Sequence, residues 1–267
     1  MEFGIYWFYN MATFLFDSIV FGPIRSRRLG ASLGINLLPV TSKVCSFDCI
    51  YCECGWTDKK EKGRLPARIE VKKYLEEKLV DMLKKQNSLD VITFAGNGEP
   101  TLHPNFAEII DDSIGLRNKY FPWAKIAVLS NSTMLNKPQV VEALKKVDQN
   151  ILKLDSAFDS TVQLLNQPRV KFSVKELVEN LKSLEGNLII QTLFLRGELD
   201  GKTIDNTTNV EVDGWLELVK AICPKEVMVY TIARDTPAKG LEKVSAKDLK
   251  AIAAKVEALG IPVQVSA

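Results

Sequence analysis

Residues 91–100, "VITFAGNGEP", pass from a solid apolar run into a glycine-rich, acidic loop. A Val/Ile/Phe run without polar alternation fits a strand covered on both faces. Gly, Asn and Pro then end it, because they take turn conformations and interrupt a hydrogen-bonded ladder. The helix-period stretch "NFAEIIDDSIGL" (105–116) follows. Strand, polar loop and helix make one βα unit, and the chain repeats that unit on both sides.

Upstream, "SLGINLLPV" (32–40) reads as a first buried strand, and "RIEVKKYLEEKLVDMLKK" (68–85) places Val71, Leu75, Leu79 and Leu83 on one helical stripe. Downstream, "KIAVLS" (125–130), "ILKLDS" (151–156), "LIIQTLFL" (188–195) and "EVMVYTIA" (226–233) read as the third to sixth strands. Each is followed by a helix-period stretch, and a seventh short run, "IPVQVSA" (261–267), ends the sequence. Six βα repeats predict a right-handed parallel sheet, either doubly wound or an open barrel with fewer than eight units. With no long linker, sequence repeat or low-complexity segment, one domain is expected.

The chain has 267 residues, 46% hydrophobic and 25% charged, which allows a large core. A net charge of +2 neither demands nor excludes nucleic acid. Five cysteines, four of them inside "CSFDCIYCEC" (45–54), are odd in number and too clustered for a disulfide framework. They point to a reducing compartment and to a metal or redox role. The apolar start "MEFGIYWFYNMATFLFDSIV" lacks a basic leading region and is interrupted by Glu2, Asn10 and Asp17, so it does not read as a signal peptide. No uninterrupted apolar run reaches the roughly 18 residues of a membrane span. A cytoplasmic protein without membrane partners is expected. Residues 1–20 read as an N-terminal extension, with Met11 as a candidate native start, and 21–267 as the core domain.

In parallel βα architectures chemistry gathers at the carboxyl ends of strands. The cysteine loop follows the first strand here, "GNGEP" (96–100) the second, "SNST" (130–133) the third and "LDSAFD" (154–159) the fourth. Arg196 and Arg234 follow the fifth and sixth. One site is expected to collect them all.

Cys45, Cys49 and Cys52 are spaced C-x3-C-x2-C. Three thiolates on a tight loop can hold three irons of a [4Fe–4S] cluster and leave the fourth open to a substrate or cofactor. Tyr51 is placed to shield such a cluster. The alternative is structural zinc on Cys45, Cys49, Cys52 and Cys54, although zinc modules usually split their cysteines into separated pairs. Ser130, Asn131 and Asp155 suit ribose or carboxylate contacts, and equally suit turn and helix capping. Arg196 and Arg234 read as anion clamps or surface ion pairs. His103, the single histidine, reads as a turn cap or a hydrogen-bonding neighbour of Glu99. Cys54 reads as a spare or substrate-facing thiol, and Cys223 as a small core residue. Arg25, Arg27, Arg28, Lys59, Lys60, Lys62, Arg64 and Arg68 flank the expected site, and such a basic run permits an RNA substrate.

The pattern "CSFDCIYC" followed by "GNGEP" resembles the cluster loop and glycine-rich Glu-Pro turn of the radical S-adenosylmethionine (SAM) superfamily. "FGPIRSRRLGASLGINLLP", "FAGNGEPTLHP", "LSNSTML", "LKLDSAFDSTVQLLNQP" and "VMVYTIARDTP" together look like the subgroup grouped with the tRNA wyosine synthases. The resemblance implies an α/β single-domain (β/α)6 partial TIM-type barrel with a parallel sheet. It implies a [4Fe–4S] cluster on Cys45, Cys49 and Cys52, and SAM held by Gly96, Gly98 and Glu99, with Ser130, Asn131 and Asp155 nearby. The reaction implied is reductive cleavage of SAM to a 5′-deoxyadenosyl radical that abstracts hydrogen from an RNA base, peptide or small metabolite. A flavodoxin or ferredoxin-type reductant is implied as partner. Activation of a glycyl-radical partner, or a non-catalytic zinc or iron–sulfur redox role, are the alternatives. One departure stands out. Wyosine synthases carry a second cluster on cysteines upstream of the SAM loop, and this chain has none before Cys45.

Overall fold

The computed structural model describes residues 13–26, 28–58 and 63–267. The expectations for Met11, Arg27, Lys59, Lys60 and Lys62 lie outside the described residues.

The main sheet has eight strands. Strands β2 (Gly30–Ile35), β3 (Val91–Phe94), β4 (Lys125–Ser130), β5 (Gln149–Lys153), β6 (Ile189–Leu193), β9 (Glu226–Tyr230) and β11 (Val263–Ser266) run parallel in that order. The first six are the six strands read from sequence, and β11 is the seventh apolar run. Chain order equals sheet order, so there is no reversal of the kind that defines a doubly wound sheet. The result is a mixed α/β fold with a curled, parallel half-barrel.

Two features were not legible in the apolar runs. Strand β1 (Val20–Ser26) lies antiparallel on the edge of β2, with Val20 opposite Ile35. Its burial pattern is intermediate to exposed, because one face has no neighbour, so it carries no continuous apolar signal. Residues before it also pack: the Phe14 and Phe16 amides donate to Glu53 O (2.9 Å) and Asn97 Oδ1 (2.8 Å), and Phe16 stacks on Phe21. The second feature is a small antiparallel sheet, β10 (Leu241–Lys243), β7 (Leu195–Leu199) and β8 (Lys202–Asp205), attached at the carboxyl ends of β6 and β9.

Among the described residues, seven α-helices join the strands: α1 (Arg68–Lys84), α2 (Phe106–Tyr120), α3 (Pro138–Lys145), α4 (Asp159–Leu165), α5 (Val174–Lys182), α6 (Asn209–Ile222) and α7 (Ala246–Glu257). Alternate strand residues such as Leu33, Ile35, Ile92, Phe94, Ile126 and Val128 meet the apolar stripes of these helices in the main core. The residues between them, Val91, Ala127, Ile151, Ile189 and Met228, face one another in a smaller core inside the barrel. Both faces are therefore dry, which explains runs without alternation. Each fully buried aliphatic side chain contributes about 1.5–3 kcal/mol.

Two expectations need correction. In α1 the buried stripe is Val71, Leu75, Leu79 and Met82, while Leu83 is 41% exposed. A helix turns about 100° per residue, so three successive four-residue steps drift by about 120° and carry Leu83 off the apolar face. Cys223 is not a core residue but exposed, because it is the left-handed C-cap of α6 (φ 52°). No helix among the described residues is long and apolar enough to cross a membrane.

Candidate functional site

The cysteine loop leaves β2 and is held between two neighbours. On one side Val44 and Gly98 form a parallel bridge, with Val44 N donating to Asn97 O (2.9 Å) and Glu99 N to Val44 O (3.1 Å). On the other, Phe47 bridges Pro168, Asp48 N donates to Asn166 O (2.9 Å), and Ile50 N to Leu165 O (3.0 Å). The GNGEP loop and the end of α4 thus clamp the cysteines. The Gly96 turn is equally tight, since a β-carbon there would lie 2.5 Å from Asn36 Oδ1.

One cavity of about 160 Å³ is lined by Cys45, Cys49, Cys52, Gly96, Gly98, Glu99, Ser130, Asn131, Lys153 and Gln191, among others. Cys54 is not part of the lining; its thiol donates to Gly96 O (3.3 Å). Among the described residues, no group of three or more His, Cys, Asp or Glu side chains is placed to hold a single metal ion.

The carboxylate of Glu99 is buried, which raises its pKa, while hydrogen bonds from Asn131, Thr101 and Ser130 pull it back. Its Oε2 accepts from Asn131 N (2.6 Å), and its Oε1 from Thr101 N (3.1 Å) and Thr101 Oγ1 (2.6 Å). Glu99 therefore caps the short 3₁₀ turn Pro100–Leu102 and ties it to the loop after β4. That loop reaches the cysteines: Asn131 Nδ2 donates to Ser46 Oγ (2.8 Å) and Cys45 Sγ (3.5 Å).

Asp155 does not line the cavity but sits fully buried beside it. Its Oδ1 accepts from Leu193 N (3.0 Å), and its Oδ2 from Tyr51 OH, Asn166 Nδ2 (2.8 Å) and Lys153 Nζ (3.3 Å). Protein groups take both oxygens, so its part is to anchor Tyr51 and Lys153. Burial works against the Lys153 charge, but the Asp155 carboxylate more than offsets it and holds its pKa above the ordinary range. Burial and Asp155 likewise keep Tyr51 protonated, with its pKa well above the usual value. Lys153 also donates to Tyr51 OH (2.8 Å), leaving one ammonium hydrogen toward the cavity.

A second buried ammonium, Lys43, donates to Gly55 O (2.7 Å) and faces Asp48 Oδ1 at 3.4 Å. Burial opposes its charge, yet the nearby thiols and Asp48 raise its pKa. Burial pushes the Cys45 thiol up to about 12, and the Cys49 thiol upward as well. Cys52 moves the other way, lowered by the neighbouring Cys54 thiol and by the Lys43 ammonium. Flanking cations, amide donors and three thiols on one wall form a donor set suited to an iron–sulfur cluster.

The remaining sequence candidates lie apart. His103 is buried, with Nδ1 accepting from Asn105 N (3.1 Å) and Nε2 donating to Pro66 O (2.9 Å); it pins the entry to α2. Arg196 pairs with Asp248 (3.1 Å) and Asp205 (3.5 Å), and Arg234 pairs with Glu53 beside the cysteine loop. Arg64 and Arg68, from the basic run, are matched by Glu70 (2.8 Å) and Asp112 (2.6 Å). Lys43, Lys153, Asn166 and Gln191 escaped the sequence reading. Only the inward register of β5 and β6 could have flagged Lys153 and Gln191, as polar residues inside otherwise apolar strands.

The roof of the site is apolar. Phe47, Cys49, Ile50 and Tyr51 pack with Leu165, Leu193, Leu195, Ile204, Ile232 and Ala238 in a second core, to which the small sheet contributes Leu195 and Ile204.

The chain was compared with known families, proteins and structures. The profile of the radical SAM superfamily matches residues 40–206. A UPF0026 protein of Synechocystis is 30% identical over 92% of this chain and 95% of its own length. A protein of Brachyspira hyodysenteriae named GTPase Obg is 30% identical over 81% of this chain, which spans only 30% of that protein. Among solved structures, a radical SAM methyltransferase from Sphaerobacter thermophilus superposes with a TM-score of 0.65 at 15% identity, covering 88% of this chain and 65% of that one. At that identity the likeness is one of fold.

Proposed function

Because the chain belongs to the radical SAM superfamily and its UPF0026 relatives, we propose that it is an enzyme that cleaves S-adenosylmethionine reductively. The product is a 5′-deoxyadenosyl radical that abstracts hydrogen from a substrate. The observation that carries this reading is the cavity that Cys45, Cys49 and Cys52 share with Gly96, Gly98 and Glu99.

When bound, a [4Fe–4S] cluster on the three thiolates supplies the electron and an open iron coordination position. The chain's own residues bind, orient and exclude water. Gly96 and Gly98 bring bare backbone against the cavity, where a methionyl group can approach closely. Glu99 fixes that loop to Asn131, and Ser130 and Asn131 line the same space. The spare ammonium hydrogen of Lys153 meets an anionic group, either the SAM carboxylate or one on the substrate. The second core keeps water from the thiols.

The zinc alternative has less support, because Cys54 does not line the cavity with Cys45, Cys49 and Cys52. Kinship with the wyosine-synthase subgroup rests on the quoted motifs. The proposal includes a reducing cytoplasm and a flavodoxin or ferredoxin-type electron donor.

The test is anaerobic reconstitution with iron and sulfide, followed by dithionite, SAM and an assay for 5′-deoxyadenosine. Wild-type protein is expected to hold about four irons per chain and to form the nucleoside. Cys49→Ala is expected to lose both. Stoichiometric zinc with no iron cluster under any condition would overturn the proposal.

A further inference from the structure

Two asparagine side chains from different parts of the fold each aim an amide at a different thiol. Asn131 follows β4 and donates through Nδ2 to Cys45 Sγ at 3.5 Å. Asn166 ends α4 and donates through Nδ2 to Cys49 Sγ at 3.4 Å. Both are buried, with 6% and 1% of their surface exposed.

The amide orientations follow from the neighbours. Asn131 Oδ1 accepts from Thr133 N (3.1 Å) and Thr133 Oγ1 (2.8 Å), so its NH₂ must face Cys45 and Ser46. Asn166 lies 2.8 Å from Asp155 Oδ2, an acceptor-only oxygen when ionised, so its NH₂ must face that carboxylate. One of its two hydrogens goes there. The other is left to Tyr51 OH (2.9 Å) and Cys49 Sγ.

We propose that Asn131 and Asn166 are positioning residues that set the reduction potential of the iron–sulfur site through N–H···S hydrogen bonds to Cys45 and Cys49. The inference rests on the radical SAM reading above. An N–H donor withdraws electron density from a ligating sulfur and so favours the more negative, reduced state. Neither asparagine is needed merely to anchor the loop. Asp48 N and Ile50 N bind backbone oxygens of Asn166 and Leu165, Arg169 N binds Ser46 O (2.8 Å), and Phe47 bridges Pro168. All of those survive a change of side chain.

The experiment compares reconstituted wild type with Asn166→Leu, Asn131→Leu and the double variant, in the absence of SAM. Iron and sulfide content is measured first, then the midpoint potential by EPR-monitored titration. Each single variant is expected to keep its cluster and to titrate at a lower potential, with a smaller reduced fraction at any fixed poise. The double variant is expected to lie lower still, close to the sum of the two shifts. A fully loaded Asn166→Leu protein with an unchanged midpoint overturns the inference. Should the variants fail to load, wild type labelled with ¹⁵N-asparagine decides instead. Hyperfine coupling of side-chain nitrogen to the reduced cluster is expected, and its absence overturns the inference equally. If wild type itself forms no iron cluster, the radical SAM reading fails first; a wild type that cleaves SAM beside unshifted variants sinks this inference alone.

Discussion

At Gly98 the backbone takes φ +137°, and a β-carbon would lie 1.9 Å from the Val44 carbonyl oxygen. The bridge that docks the cysteine loop therefore requires glycine at this position. Gly98→Ala is expected to cost about 2–3 kcal/mol of stability and to lower iron loading. Urea unfolding beside an iron assay checks this, and a variant with wild-type values in both would show that the bridge is dispensable. Single residues differed in how well they could be read. Cys45, Cys49, Cys52 and Glu99 are legible because their spacing carries chemistry along the chain. Asn166 lies 117 residues from the Cys49 thiol it serves, a contact only the fold creates. Asp155 was legible as polar but not as enclosed, since three of its partners come from other elements.

Helix α1 tests the correction to its stripe. Met82→Ala is expected to destabilise by about 2–4 kcal/mol, because it opens a void in a fully buried position. Leu83→Ala is expected to stay within about 0.5 kcal/mol of wild type by the same chemical denaturation. The helix is also tied to α2 by Arg68 and Lys72, which reach Asp112 at 2.6 and 3.1 Å. The hydrogen bond from Arg68 is the largest cause holding the Asp112 pKa below its ordinary 3.8. A depressed carboxylate stabilises the fold above its unfolded pKa and loses that contribution as pH falls through the lower folded value. Asp112→Asn is therefore expected to cost at most about 1 kcal/mol at neutral pH, with the gap to wild type closing below pH 3.8. A gap that persists at the lowest accessible pH would assign the effect to packing instead. Strand β1 and the small sheet escaped the sequence for a physical reason: half-exposed edges carry no long apolar run, and β10 has three residues.

For the molecule as a whole, the small sheet joins the barrel mouth to the thiols through the second core. Ile204 in β8 is 2% exposed there. Ile204→Ala is expected to cost about 2–4 kcal/mol and to hasten loss of the cluster absorbance in air. Unchanged bleaching with reduced stability would confine the small sheet to a structural part.

The order of the main sheet has a mechanical consequence. It begins at β1 and stops at β11, and the two margins meet through side chains: Gln264 Nε2 donates to Arg28 O (3.1 Å), while the Arg28 guanidinium lies 4.6 Å from the Tyr230 ring centre. A hoop bonded all the way round spreads load over every strand, whereas a split ring is soft at its cut. Among the described residues, no strand ladder closes the cut between β1 and β11. Widening it leaves every strand ladder intact.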